Sequence, residues 1–583
     1  MKGLLLPPIP ILIAVAFIAL ATAAPVHKRL QPGAIQPDPV RLRPLTWGQI
    51  NIIQTTDTHG WLPGHPKVPS YSGDFGDFAS FVSHMRQQAD RLQKDLLVVD
   101  SGDLVNGNGL SDATPVRGTV TRPFYKKINY DVLTLGNNEL YEANVVEDVH
   151  KNFVPYWNGR YLTSNVFIKD AQTNETTPIG NLYSTFRLKF GTRVMSYGFL
   201  FSFTEAADNA IVEAPNITVT LPWFQESLKE PVDLYLIVAH IPVRAAEATT
   251  IVNAIRAVHP SKPIVVMGGH AHIRDFKIYD SRAVGFSGGR FMETIGWLSV
   301  DGIHDPACDA SEQACIGKNL TVTRRYLDNN AFTYMTHGLG QPDQQFDTQE
   351  GLAISQEINW HYKAMNLSRV LGCSPQDYSI TRFPVSHNQS LLRLITDEVV
   401  PLTVLDSSRP YPGYTLLVSS SQRYDIRKGP FTYDDSFAVS PFRRGFVSAA
   451  IPLKIAKDIL SRLNVMKLSK RNVPSTPDSA DSSLTPGYIT TDDLGSDGDD
   501  WPHIKIPGVS VPSYVASPLP TGLQDEDLVE VIWLAVNSKQ VLAVLETLDP
   551  GSGASKKYLP QVYRDGVTTN TMLYDFVVQK WTC

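Results

Sequence analysis

The first half of the sequence predicts an α/β fold in which helices cover both faces of a β-sheet. Five segments there are almost continuously apolar, which is typical of strands that are buried on both sides. Between them lie stretches with the 3.6-residue periodicity of amphipathic helices, most clearly residues 75–93 and 251–258. Strands that alternate with helices indicate a sheet with crossover connections.

Length and composition set further bounds on the molecule. The chain has 583 residues, which is too long for one ordinary domain, and 43% of them are hydrophobic, as in a globular protein. The net charge is −6, from 52 basic and 58 acidic residues, and there is no long basic run. We therefore expect no binding to a nucleic acid polymer.

The N-terminus has the layout of a secretory signal peptide. A lysine, an apolar stretch and a run of small residues occupy residues 1–24, and residues 25–45 form a pro or linker segment. The alternative is an uncleaved membrane anchor, but Pro7, Pro8 and Pro10 interrupt the apolar stretch. We predict cleavage, no stable membrane anchor, and a secreted, extracellular or vacuolar protein.

The number and spacing of the cysteines are consistent with a secreted protein. The four cysteines are even in number and lack CxxC spacing, which favours disulfides over a zinc site. Cys308–Cys315 with Cys373–Cys583 is one of three possible pairings, and the sequence leaves the choice open. Five sequons predict a glycoprotein: Asn174, Asn216, Asn319, Asn366 and Asn388.

Each of the five apolar runs ends in polar residues of a particular kind. The carboxyl ends of strands in such sheets face one crevice, so these side chains are expected to converge there. Taken singly, each motif has an ordinary explanation, such as a turn, a helix cap or a core histidine, but five in order argue against chance. The residues are Asp57, His59, Asp103, Asn137, His240, His270 and His272.

The chemistry of this set predicts two metal ions. Carboxylates, imidazoles and one amide oxygen suit Mn, Zn or Fe better than Mg or Ca. Seven ligands are too many for one catalytic ion, but they fit two divalent ions about 3.5–4 Å apart with a shared carboxylate. Such a pair can clamp a phosphate group and generate hydroxide from water.

The order DxH, GD, GNxE, AH and GHAH resembles that of the calcineurin-like metallophosphoesterases, over about residues 46–345. This resemblance implies a β-sheet sandwich flanked by helices. It also implies a division of the ligands, in which Asp103 bridges the two metals. Asp57, His59 and His272 would hold one metal, and Asn137, His240 and His270 the other.

One position departs from the family pattern. The third motif of the family usually reads GNHE, and its histidine is thought to help the leaving group depart; here that position is Asn138. An amide can donate a hydrogen bond to a phosphoryl oxygen, but it cannot supply a proton. His65, six residues after His59, is a candidate substitute.

The second half, residues 346–583, resembles the α+β substrate-binding domain of 5′-nucleotidases. By this resemblance Arg423 and Arg427 grip the nucleotide, whereas Phe446 and Trp501 stack on its base. The alternative for both aromatic residues is a structural packing role.

Two further segments lie between these residues. The composition of residues 468–487 predicts a mobile insertion, because it cannot support a core. Residues 492–500 are predicted to be an ordered loop near the site, with its acidic side chains in solvent.

Together these features predict a secreted, dinuclear-metal phosphoesterase that resembles 5′-nucleotidases. It would hydrolyse phosphomonoesters, most simply nucleotides, by direct attack of a metal-bound hydroxide, and so contribute to nucleotide catabolism. One alternative is a metal-retaining nucleotide- or phosphate-binding protein whose turnover is impaired because of Asn138. Another is a phosphodiesterase with the same metals.

Overall fold

The structure is a computed structural model. It describes residues 42–170, 172–305, 312–340, 346–466, 490–495, 497–501 and 511–583. The predicted signal peptide, Cys308 and the predicted insertion 468–487 lie outside the described residues.

The N-terminal half contains two large β-sheets packed face to face. In spatial order, the first has six strands: Thr321–Asp328, Thr294–Asp301, Ile50–Thr55, Asp95–Asp100, Val132–Thr134 and Tyr161–Leu162. The second has seven: Thr490–Asp492, Arg274–Asp280, Ala283–Gly288, Ile264–Met267, Leu234–His240, Arg193–Leu200 and Tyr183–Arg187. A smaller sheet lies beside them: Thr176–Pro178, Val166–Lys169 and Ala210–Val212. The strands that precede the predicted ligands run parallel to one another within each sheet. Their carboxyl ends therefore lie together at one edge of each sheet.

The alternation of side chains explains how both sheet faces become buried. Ile50 and Ile52 point between the two sheets, whereas Ile53 faces a core on the outer side of the first sheet. The predicted helices cover these outer faces: Phe75–Leu92 lies on the first sheet and Ala246–Val258 on the second. The predicted sandwich flanked by helices is confirmed.

Further helical segments lie between or beside these elements. The α-helical ones are Gly109–Asp112, Arg122–Tyr125, Ala143–Asp148, Pro215–Thr218, Pro222–Ser227, Ala331–Leu339 and Gln349–Ala364. The others are Pro69–Tyr71, Asn137–Leu140, Val149–Phe153, Val154–Trp157 and Glu312–Cys315. Among the described helices, none is long and apolar enough to cross a bilayer.

The C-terminal half has its own sheet and its own hydrophobic core. The five strands, in spatial order, are Tyr514–Ala516, Gly413–Val418, Leu528–Leu534, Phe446–Pro452 and Gln561–Val562. A separate pair is Val370–Ser374 and Gly429–Thr432. The helical segments are Leu391–Leu394, Ile395–Val399, Val400–Thr403, Ser419–Ser421, Tyr433–Val439, Leu453–Met466, Ala535–Asn537, Ser538–Leu548, Ala554–Lys557 and Thr569–Lys580.

The Cys373–Cys583 disulfide is present and closes the chain end onto this half, with the two Cα atoms 4.9 Å apart. Cys315 is also disulfide-bonded.

Two segments pack differently from the sequence expectation. Helix Gln349–Ala364, expected at the start of the C-terminal domain, contributes Ile354 and Ile358 to the N-terminal core. Strand Thr490–Asp492 returns to the edge of the second N-terminal sheet.

Only part of the acidic segment is a solvated face: Asp493 and Asp497 are exposed, whereas other acidic residues pair with cations of the N-terminal half. Asp492 lies 2.8 Å from Arg324, and Asp499 lies 2.6 Å from Arg274.

Candidate metal centre

The strand ends that carry the predicted ligands have an unusual backbone. Five of the seven predicted ligands have a positive φ angle, a conformation that side chains other than glycine adopt rarely. Such strain persists where the surrounding structure holds it, and it is concentrated at functional sites. The angles are 49° at Asp57, 48° at His59, 62° at Asp103, 70° at His270 and 58° at His272.

The structure brings the charged and imidazole ligands into two overlapping groups. One contains Asp57, His59, Asp103 and His272, and the other contains Asp103, His240 and His270; within each group the ligand atoms lie within 4.8 Å of one another. Asp103 is common to both groups, in the bridging place that the resemblance implies. Four of the six residues are buried, and His270 and His272 are partly buried.

Hydrogen bonds to backbone carbonyls determine which nitrogen of two histidines is available. Nδ1 of His59 lies 2.6 Å from the Val105 carbonyl oxygen, and Nδ1 of His240 lies 2.8 Å from that of Ser101. A carbonyl only accepts, so each Nδ1 carries the hydrogen and each Nε2 presents a lone pair. This second contact orients the ring as in protein metal sites.

Candidate ligand atoms then face each other across the site. Nε2 of His59 lies 3.0 Å from Nε2 of His272, and Nε2 of His240 lies 3.2 Å from Oδ2 of Asp103. Facing lone pairs need a cation or a proton between them. In the metal-free chain, burial lowers the pKa of His240, but Asp103 and Asp57 outweigh it and raise the value to about 10. The donor set therefore fits bound metal ions.

Asn137 provides one more oxygen at this place. Its Nδ2 donates to the Tyr141 hydroxyl at 3.1 Å, whereas its buried Oδ1 has no hydrogen-bond partner. Orphaned buried oxygens are rare in proteins. An oxygen left free in this way is suited to coordinate a metal, as the sequence predicts for Asn137.

Asn138 supports the carboxylate of Asp103. Its backbone N–H donates to Oδ1 of Asp103 at 2.8 Å, and its Nδ2 donates to Oδ2 at 2.5 Å. Its own Oδ1 accepts from Nδ2 of Asn106 at 2.9 Å and from Nη2 of Arg423 at 3.3 Å. The amide is thus held in one orientation, with its donor side toward Asp103.

His65 lies outside the ligand groups and both of its nitrogens are engaged. Nε2 donates to the Phe291 carbonyl oxygen at 2.7 Å, so Nδ1 accepts from the Tyr424 hydroxyl at 3.0 Å. The ring stacks on Trp61 with centroids 4.1 Å apart. Burial lowers the pKa of His65 below its usual value, which favours the neutral form. This arrangement offers no free proton to a leaving group.

Sequence reasoning missed several residues that shape the site. Glu139 accepts hydrogen bonds from the backbone N–H groups of Leu104, Gly136 and Asp103, and so ties two ligand loops together. Burial and Asp103 raise the pKa of Glu139 to about 7. The position of Glu139 in the GNxE motif could have identified it from the sequence, whereas nothing in the sequence marks Asn106.

Among the predicted substrate residues, Arg423 lies beside the predicted metal ligands. Its Nη1 is 3.4 Å from Nε2 of His272, and its Cζ lies 4.9 Å from the centroid of the Phe442 ring. Arg427 instead lines a cavity of about 250 Å³ that includes Arg382 and Phe383 but none of the predicted metal ligands.

The predicted aromatic clamp is not formed. Phe446 is buried in the C-terminal core. Trp501 packs on the N-terminal half, where its Nε1 donates to Oγ1 of Thr333 at 2.9 Å and its ring lies 5.9 Å from Phe332. Both rings are already covered by protein, and the aromatic residue beside Arg423 is Phe442.

Comparisons with known proteins agree with this geometry. Residues 50–274 match the calcineurin-like phosphoesterase family. Residues 377–481 and 465–542 match the C-terminal domain of NAD nucleotidase.

Whole-chain relatives extend the similarity. A protein of Arthroderma benhamiae named "Secreted protein" is 35% identical over 95% of this chain and 93% of its own length. The crystal structure of a 5′-nucleotidase from Candida albicans is 33% identical, covers 92% of this chain and 99% of its own, and superposes with a TM-score of 0.84. A 5′-nucleotidase precursor from Thermus thermophilus, 15% identical over 92% of this chain and 97% of its own, shares the fold with a TM-score of 0.60. The chain therefore belongs to the 5′-nucleotidase family of calcineurin-like metallophosphoesterases, which are metal-dependent phosphoester hydrolases.

Proposed function

We propose that the chain is a secreted phosphomonoesterase that uses two divalent metal ions, Mn, Zn or Fe, and acts on small nucleotides. The observation that carries the proposal is the pair of ligand groups that share Asp103. The similar solved structure from Candida albicans, named a 5′-nucleotidase, supports the substrate class.

Secretion has separate support. The similar Arthroderma protein is named "Secreted protein". The asparagines of all five sequons are exposed to solvent, as glycan acceptors must be.

The side chains around the ligands have distinct roles in this reaction. Two bound metal ions would activate water and neutralise the charge of the phosphoryl group. Asn138 and Glu139 hold the Asp103 loop in place. Arg423, beside His272 and Asn138, is placed to contact a phosphoryl oxygen with its guanidinium group. Transfer goes directly to water, with no covalent enzyme intermediate.

This chain differs from its family at the residue that would assist the leaving group. Asn138 occupies the position of the family's histidine and cannot release a proton. A nitrophenolate departs without a proton, whereas a ribose alkoxide needs one. We expect p-nitrophenyl phosphate to be cleaved better than AMP by about 10²–10⁴-fold, the usual contribution of a positioned general acid.

The test uses the secreted protein, stripped of metal and reloaded separately with Mn, Zn and Fe. Hydrolysis of p-nitrophenyl phosphate and AMP is measured side by side, with bound metal counted in the same samples. Two metals, cleavage of the nitrophenyl ester and slow cleavage of AMP are the expected result. Equal second-order rate constants for the two esters would contradict the assigned consequence of Asn138.

A second candidate is a nucleotide- or phosphate-binding protein that keeps its metals but has little turnover. The full engagement of Asn138 by Asp103 and Asn106 favours it, because the amide has become part of the scaffold. Two bound metals without cleavage of either ester would support this candidate over the first.

A further inference from the structure

A buried arginine of the N-terminal half begins a chain of hydrogen bonds that ends at Asp103. The side chain of Arg117 is only 2% exposed. Its Nη1 donates one hydrogen bond to Oδ1 of Asn106 and another, at 2.9 Å, to the carbonyl oxygen of Pro441 in the C-terminal half. Arg117 therefore contacts both halves of the molecule, and Asn106 is its partner on the side of the metal centre.

Two amides carry the chain from Arg117 to the carboxylate. Nδ2 of Asn106 donates to Oδ1 of Asn138 at 2.9 Å, and Nδ2 of Asn138 donates to Oδ2 of Asp103 at 2.5 Å. Each of the four residues is at most 2% exposed, so bulk water does not compete for these contacts.

The chemistry of the two ends gives the chain a single direction. A guanidinium group only donates hydrogen bonds and a carboxylate only accepts them, whereas an amide does both. With Arg117 at one end, the oxygen of Asn106 faces it, which leaves the Asn106 NH2 group for Asn138. Asn138 in turn presents its oxygen to Asn106 and its NH2 group to Asp103. This is the one orientation of both amides in which every contact joins a donor to an acceptor.

Carboxylates hold Arg117 at the start of the chain. Its Nε lies 2.8 Å from Oε1 of Glu142, and its Nη1 lies 3.9 Å from Oδ2 of Asp112. Asp112 also accepts hydrogen bonds from the backbone N–H groups of Asn106 at 3.0 Å and Gly107 at 2.7 Å. These contacts hold a loop in which Asn106 has a φ angle of 70°. The backbone and the side chain of Asn106 are thus fixed by the same group of residues.

Without Arg117, the oxygen of Asn106 would lose its donor. In the part of the chain that the structure describes, Arg117 is the side chain that donates to this oxygen, and a buried acceptor without a partner is unfavourable. The Asn106 amide would then turn, and Asn138 would lose the nearer of two donors to its oxygen, the other being Arg423 at 3.3 Å. The change would reach Asp103, because the Asn138 side chain donates to its Oδ2.

We propose that Arg117 and Asn106 are positioning residues of the metal centre, which act through Asn138 to hold the carboxylate of Asp103 in place for the metal ions. Loss of a residue that orients a metal ligand in this way typically lowers metal affinity or activity by about 10- to 100-fold. The proposal rests on the proposed function, since it needs metal ions at Asp103. It gives Asn138 a role that does not depend on proton transfer.

The experiment measures the binding of Mn to the metal-free, full-length protein by titration calorimetry. Asn106→Asp keeps the shape of the side chain and still accepts from Arg117, but it has no hydrogen to donate to Asn138. Aspartate also tolerates a positive φ angle, as asparagine does. Arg117→Met removes the donor at the start of the chain, and Arg117→Lys keeps one donor at that place.

Arg443→Met is the matched control for the loss of an arginine between the two halves. Arg443 is exposed and donates to the carbonyl oxygens of Asp112 and Thr114, close to Arg117 along the chain. Among the described residues, the Arg443 side chain makes no hydrogen bond to the side chains of Asn106 or Asn138.

Asn106→Asp and Arg117→Met should each bind Mn about 10- to 100-fold more weakly than the wild type. Arg117→Lys should recover part of the loss, and Arg443→Met should bind Mn as the wild type does. The direction of the Asn106→Asp effect is decisive, because an added negative charge would by itself strengthen the binding of a cation. Weaker binding by this variant therefore reports the lost donor.

Thermal midpoints of the metal-free proteins show which variants are folded. If Arg117→Met does not fold, Asn106→Asp decides the question alone. Unchanged or tighter Mn binding by folded Asn106→Asp, or an equal loss in Arg443→Met, would overturn the inference. A wild type that binds no Mn would overturn the proposed function as well, so the two failures are distinguished.

Discussion

Asn138 lies between the carboxylate of Asp103 and an arginine of the C-terminal half. Its amide donates to Asp103 and accepts from Asn106 and Arg423, so all three contacts fix which way it faces. Under the proposed function, this amide stabilises the predicted bridging carboxylate and also lacks the proton that a histidine could donate.

Asn138→His should restore part of the missing acid catalysis. We expect kcat/KM for AMP to rise by about 10²-fold, the lower end of a general acid's contribution, because the imidazole must also replace the contacts to Asp103 and Asn106. The rate on p-nitrophenyl phosphate should change little. An unchanged ratio of the two rate constants would argue against the missing acid as the cause of slow AMP hydrolysis.

His65→Gln tests the candidate substitute for that acid. Since Phe291 and Tyr424 already occupy both ring nitrogens, we expect the ratio of AMP to nitrophenyl ester hydrolysis to stay at the wild-type value. Any loss should affect both substrates equally, through packing against Trp61. A loss of activity on AMP alone would show that His65 acts as a proton donor.

The residues of the site differ in how far the sequence could predict them. The metal ligands follow apolar runs directly, and a parallel sheet brings such strand ends together, so their convergence was predictable. The aromatic residue was not, because Phe442 and Phe446 both follow Pro441 closely. Only the packing reveals that Phe446 belongs to a core strand, whereas the ring of Phe442 lies beside Arg423.

Among the elements, helix Tyr433–Val439 joins the two halves of the molecule near the site. Asp434, in its first turn, accepts hydrogen bonds from the Gly109 N–H at 2.7 Å and from Nδ2 of Asn108 at 3.2 Å. These residues follow the Asp103 loop along the chain. Burial, with a contribution from Asp435, raises the pKa of Asp434 to about 7.

This raised pKa predicts a pH-dependent stability. The usual value is 3.8, so the folded chain holds the proton of Asp434 more tightly than the unfolded chain, and this stabilisation is lost as the pH rises from about 4 through about 7. Asp434→Asn keeps an acceptor and removes the charge.

The thermal midpoint of Asp434→Asn should therefore rise relative to the wild type by a few degrees between acid and neutral pH. Differential scanning calorimetry of both proteins across this range measures the difference. Midpoint curves that stay parallel would show that Asp434 does not titrate there.

The whole molecule is held together by contacts that are distant in sequence. Strand Thr490–Asp492 extends an N-terminal sheet, and the Cys373–Cys583 disulfide closes a loop of sequence separation 210. The composition of the acidic segment predicts a solvated loop. The sequence does not reveal its partners Arg274 and Arg324, because they lie far away in the chain. Charge pairing between residues that are far apart in the chain produces no local pattern in the sequence.

The disulfide should contribute to stability more than to activity. We expect Cys373→Ser with Cys583→Ser to lower the free energy of unfolding by about 2–4 kcal/mol, as for other long loops. Urea unfolding measures the loss, and metal content should be unchanged because the bond lies away from the ligands. An unaltered urea midpoint would mean that the C-terminal helix keeps the chain end in place without the bond.

A count of bound metal tests most directly whether Asp103 is shared by two metal ions. The wild type, Asp103→Asn, His240→Asn and the control His259→Asn are reloaded with Mn, and bound metal is measured by mass spectrometry; His259 contacts Glu312, away from the centre. We expect two ions in the wild type and the control, one in His240→Asn and fewer still in Asp103→Asn. A single ion in the wild type, or two ions retained by His240→Asn, would contradict it.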